Sequence, residues 1–161
     1  MPELPPALIN AWQQLGQALG LAHSAALYAA VSALHITGIA LLFGGIAPVA
    51  LRFLGGMASL GEAAVRSLQR FAACGLLFAV CTGVLLISVK PADYLASPVV
   101  WAKFALIATA TAHALWFHWA RRRSTVPVLD TPRAALAASG AASLLLWLAV
   151  IGLGRWIAFA V

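Results

Sequence analysis

The chain has 161 residues, 63% of them hydrophobic and 9% charged, with a mean hydropathy of +0.97, which excludes a water-soluble globular domain and marks an integral membrane protein. Its net charge of +6 would suit nucleic acid in a soluble protein, but the basic residues gather between apolar segments, so no nucleic-acid role is expected. The length suits about four spans of roughly 20 residues each, which predicts a single all-α, integral membrane four-helix bundle filling residues 1–161.

Residues 6–20 read as a short, weakly amphipathic helix lying at the membrane interface, with Gln13, Gln14 and Gln17 on one side. The stretch before span 1 lacks the basic start and cleavage site of a signal peptide, so span 1 is expected to act as the insertion signal. Span 1 is predicted over 24–50, span 2 over 71–89, span 3 over 99–119 and span 4 over 134–159. Arg52, Arg66 and Arg70 fall in the loop between spans 1 and 2, opposed by Glu62. Arg121, Arg122, Arg123 and Arg133 fall in the loop between spans 3 and 4, opposed by Asp130. The other side offers only Glu3, Lys90, Asp93, Lys103 and Arg155, so the positive-inside rule places both arginine-rich loops in the cytoplasm and both termini outside it.

Four histidines stand out, because an unpaired polar group at bilayer depth costs several kcal/mol. His23 sits at the outer end of span 1, near water. His35, in "ALHITGIALLFGG", lies about 18 Å deep by helix rise, and His113 lies about 21 Å deep in span 3. Imidazoles at matched depth on facing helices can ligate one metal in a bundle core, so one haem b held by His35 and His113 is a candidate site. His118 is the alternate ligand. Its offset of five residues from His113 turns it about 140° away, beside Trp119 at the cytoplasmic boundary.

The bland reading of His35 is an imidazole hydrogen-bonded to a Ser or Thr across a packed interface. Gly38 and Gly45 on its face suit either close helix packing or a flat macrocycle. Lys103, Arg155 and Arg52 read as interfacial anchors or as cations for the carboxylates of such a ligand. Trp147, deep in span 4, is core packing or a wall of a cofactor pocket. Cys74 and Cys81, seven residues apart on one helical face, are about 10 Å apart and read as small buried hydrophobes. No phosphate loop, CxxC, HExxH, paired carboxylates or Ser/His/Asp set is present, which leaves a hydrolase or nucleotide-using enzyme without its equipment. A haem protein needs only ligands, a dry pocket and charge compensation.

The blocks "YAAVSALHITGIALLFGGIAPVALRFLG", "PADYLASPVVWAKFALIATATAHALWFH" and "LLLWLAVIGLGRWIAF" resemble a bacterial family of four-span membrane proteins without an established activity, through His35, Gly38, Arg52, Tyr94, Pro98, Lys103, His118 and Gly154 to Trp156. More distantly, the His35 block with Lys103 and His113 is similar to HemJ-type protoporphyrinogen oxidases. In those, a haem-linked His on an early span and an essential Lys at the start of a later one would correspond to His35 and Lys103. The His-then-small pattern of span 1 is also similar to the copper-resistance D (CopD) group. Only two methionines, Met1 and Met57, are present to supply a copper relay.

Together these readings lead to a haem b membrane protein of the bacterial inner membrane that exchanges electrons with a quinone or a redox partner protein. The alternatives are a HemJ-like haem-dependent porphyrinogen oxidase, and a cofactor-free subunit or copper-handling protein. A homo-oligomer or a larger complex would suit its small, apolar helix faces.

Overall fold

Pro5 and Pro6 preset the backbone for a first helical turn, and α1 (Pro6–Ala18) begins there. It ends where Gly20 takes φ +73°, the left-handed conformation that lets Leu21 N bond back to the Gly16 carbonyl at 3.0 Å. Ser24 then caps α2 (Ala25–Phe53), its hydroxyl accepting from the Leu27 amide at 3.2 Å. The chain continues through α3 (Glu62–Ile87), the short α4 (Pro91–Ala96), α5 (Pro98–Arg122), a 3-10 turn at Val128–Asp130, and α6 (Arg133–Ala160). This computed structural model describes residues 5–122 and 127–160, so Glu3 and Arg123 lie outside the described residues.

The helices α2, α3, α5 and α6 are long and apolar enough to cross a membrane, which makes this a multi-pass membrane protein of four spans. Two boundaries differ from the sequence reading. Helix α3 starts nine residues before the expected 71, so Arg66 and Arg70 stand on its first turns and not in a loop. Hydropathy marks only the lipid-buried part of a helix, whereas the backbone ladder continues into the polar region. The second difference is α4, six residues opened by Pro91, whose brevity leaves no periodic signal.

Packing follows the small residues. A Cβ on Gly38 would stand 2.8 Å from the Ala79 amide nitrogen, and one on Gly75 would collide with the Leu42 amide nitrogen. The backbones of α2 and α3 therefore approach closely along this seam. On its other side α2 packs against α6, and α6 against α5, whereas α3 and α5 scarcely touch. Leu42, Ala72, Ala110, Trp147 and Val150 nevertheless bring all four spans into one core, so the bundle is a square whose α3–α5 edge is open.

Each end is fastened differently. At the end bearing the arginines, the Glu62 carboxylate accepts from the amides of Val128 at 3.0 Å and Leu129 at 3.2 Å, clasping the second loop onto the start of α3. At the end bearing the termini, the Trp12 indole donates to the Val84 carbonyl at 3.1 Å, and Gly16 lets α1 lie against Ser88. Cys74 and Cys81 are exposed on α3 and not buried as expected, because the seven-residue stripe they share faces away from α2.

Candidate functional site

Thr82 organises His35. Its Oγ1 donates to the Phe78 carbonyl one turn back at 2.7 Å, which uses its only proton. With its proton given to that carbonyl, the same oxygen would accept from His35 Nδ1, 3.1 Å away, in the tautomer whose Nε2 keeps its lone pair. The ring lies against Gly83, where a Cβ would come within 3.1 Å of His35 Cε1. An imidazole held through Nδ1–H with Nε2 available is the arrangement that metal-ligating histidines use.

Lys103 of α5 shares this depth. Its Nζ rests 3.1 Å from the place a Cβ on Gly154 would take, so the missing side chain of α6 makes room for the ammonium, which acts electrostatically on His35. Nearby, at the end bearing the termini, the half-buried Tyr94 phenol is pushed up to about 12, chiefly by burial, then by its hydrogen bond to Tyr28 and the charges of Tyr28 and Asp93.

His113 belongs to a different level. Its Nε2 lies 3.3 Å from both the carbonyl and the hydroxyl oxygen of Ser139 on α6. Ten residues, about 15 Å of helix, separate it from Lys103 along α5, and fifteen separate Ser139 from Gly154 along α6. The equal depth expected for His35 and His113 is therefore corrected. Depth along one helix says nothing of whether the span ends are level: the α2–α3 seam places His35 beside Thr82 near the termini, while α5 carries His113 on toward the arginine-rich end. His35 and Lys103 lie on the side of the bundle toward the termini, and the structure does not bring His35 together with His113.

Gly38 and Gly45 take up α3, not a ligand: their faces are filled by Ala79 and Ala72. Arg52 donates through Nε to the Leu60 carbonyl at 2.9 Å and closes the first loop. Arg155 is exposed, with its guanidinium 4.8 Å above the Phe159 ring.

His113 and His118 border a cavity of about 190 Å³ walled by all four spans, with Gln69, Ser139, Ser143 and Thr111 as its other polar groups and Trp147 as a buried wall. The 140° offset between the two histidines does not keep them from one cavity, because it spreads along the open α3–α5 edge. Among the described residues, no three His, Cys, Asp or Glu side chains gather in one place.

Thr82 is the Ser or Thr partner across a packed interface that one reading of His35 expected, without naming the residue, and Ser139 is a partner that sequence reasoning missed. Each is a lone hydroxyl in an apolar stretch, a signal that was present, but its partner is fixed only by the register between helices. No protein-family model matches the chain, and no curated protein or solved structure does either.

Proposed function

We propose that this protein is a haem b oxidoreductase of the bacterial cytoplasmic membrane, with His35 as its protein ligand, exchanging electrons with a quinone or a redox partner protein. The observation that carries this reading is the anchoring of His35 Nδ1–H on Thr82, which leaves Nε2 as a ligand atom at the depth of the Lys103 ammonium. The donor set fits: a neutral imidazole for the iron, and a cation for a propionate in a site of low dielectric. When bound, haem supplies a one-electron couple between ferric and ferrous iron. The chain itself supplies orientation of the imidazole through Thr82 and charge balance through Lys103.

His35 would hold the group without His113, which is held at another level. That favours, as a second reading, an enzyme resembling the HemJ-type porphyrinogen oxidases, in which Lys103 binds a substrate carboxylate. A cofactor-free subunit would account for the bond to Thr82 with Lys103 as an interfacial anchor, and gives the pair no joint role. Both termini are assigned to the outside of the cytoplasm, with the arginine-rich loops within.

Purified protein should carry a Soret band that shifts on reduction with dithionite, in a five-coordinate form. His35→Ala should abolish it, His113→Ala should retain it, and Thr82→Val should weaken haem retention ten- to hundredfold by freeing the ring. A colourless wild-type preparation of normal yield, or loss of the band in His113→Ala alone, would overturn this reading.

A further inference from the structure

The cavity beside His113 has no part in the site at His35, and its chemistry is narrow. Among the described residues that line it, none is Lys, Arg, Asp or Glu, so it holds no permanently charged side chain to pair with a phosphate or a carboxylate. Its walls are apolar and aromatic, with Phe53 and Trp147 among them, and its polar groups are the side chains of Gln69, Thr111, His113, His118, Ser139 and Ser143. A cavity of about 150 Å³ lined by hydrocarbon holds benzene, so about 190 Å³ suits one substituted six-membered ring and excludes a macrocycle.

The way in is through lipid. The cavity reaches the exposed residues Ala73 on α3 and Ala114 on α5, the two helices that scarcely touch. Ala114 is eight residues from the end of α5, about 12 Å, which sets the mouth at hydrocarbon depth and not in water. A ligand that enters there dissolves in the bilayer.

His113 is suited to oxygen atoms on such a ring. Its Nε2 contacts with Ser139, at 3.3 Å, are long and weak, and Nδ1 has no partner among the described residues. One tautomer presents a lone pair to a hydroxyl, and the other presents an N–H to a carbonyl, so both the quinol and the quinone form of one ring can be met.

We propose that this cavity binds the head ring of a lipid-soluble quinone, with the tail leaving between α3 and α5. The choice of a redox-active ring rests on the redox reading above, whereas the recognition of a neutral ring bearing oxygen atoms rests on the cavity alone.

The test is calorimetric titration of decylubiquinone into the full-length protein in nanodiscs of quinone-free phosphatidylcholine. Saturable binding of one molecule per chain is expected, weakened at least tenfold by Ala114→Leu, which plugs the mouth, and by His113→Leu, which removes the polar contact. Size-exclusion profile and melting temperature check that each variant folds, and either variant alone suffices. Uptake that does not saturate, or binding unchanged in a folded variant, overturns the proposal. So does displacement by oleate as potent as by a second quinone, the mark of a pocket for acyl chains. A colourless protein that still binds the quinone supports this site while removing the haem reading; a haem-bearing protein that does not bind it does the reverse.

Discussion

The chemistry of this protein turns on which atoms a neighbouring helix leaves available. His35 is an unusual residue for a span by type alone, but its usefulness depends on Thr82, whose single proton is committed to its own helix. That commitment favours the imidazole tautomer with its proton on Nδ1. Tyr94 shows the opposite case, a group whose surroundings resist ionisation. Its pKa, near 10 in an unfolded chain and about 12 in the fold, means that both states hold the proton below pH 10. Between pH 10 and 12 the unfolded chain releases it first, so the stability contributed by the buried phenol is lost as pH rises through that window. The difference in 295 nm absorbance between wild type and Tyr94→Phe should therefore titrate near pH 12, and the melting temperature of wild type should fall more than that of the variant between pH 10 and 12. A tyrosinate midpoint near 10 in that difference spectrum would contradict the burial. The histidine and the lysine of this region were legible in the sequence because ionisable groups are rare in spans; Thr82 was not, because a hydroxyl satisfied within its own helix is common there.

Among the elements, the α2–α3 pair governs the rest, and its glycines differ sharply in what they do. Gly75 sits where the α2 backbone passes, with Gly38 O 2.8 Å from the place of its missing Cβ, while Gly44 has nothing within 4 Å. Both lie inside helices, where Gly→Ala adds about 0.5–1 kcal/mol of intrinsic helix stability. Gly44→Ala should keep that gain. Gly75→Ala must push the helices apart, and overpacking of this kind costs about 1–3 kcal/mol, which outweighs the gain. Thermal unfolding in detergent should show a melting temperature equal to or above wild type for Gly44→Ala and clearly below it for Gly75→Ala; equal shifts would mean that the seam is not close-packed. The four apolar spans were legible because composition alone marks them, and α1 because its prolines and terminal glycine punctuate it. The early start of α3 was not, since Glu62, Arg66 and Arg70 belong to a helix that has left the hydrocarbon.

For the whole molecule, sequence counting reached the number of spans and their order, but not their relative height. Helix rise converts residue number into depth along one helix only. The offset between two helices is set by contacts such as Gly38 on Ala79 and Lys103 on Gly154, which no single segment encodes. That offset separates a site at His35 from a cavity at His113, and it matters for function because the two then lie toward opposite faces of the membrane. Charge gives the expected orientation. Arg52, Arg66, Arg70, Arg121 and Arg133 all lie toward the same ends of the spans, and loops rich in arginine are retained in the cytoplasm. The exposed residues Ser59, in the first of these loops, and His23, in the turn before α2, report on the two faces. In a background of Cys74→Ser and Cys81→Ser, a membrane-impermeant maleimide added to intact spheroplasts should label His23→Cys and spare Ser59→Cys until the membrane is opened. The reverse pattern would invert the molecule, placing Lys103 and His35 toward the cytoplasm and the cavity beside His113 toward the outside, so this measurement also decides which side of the membrane each of the two lies nearer.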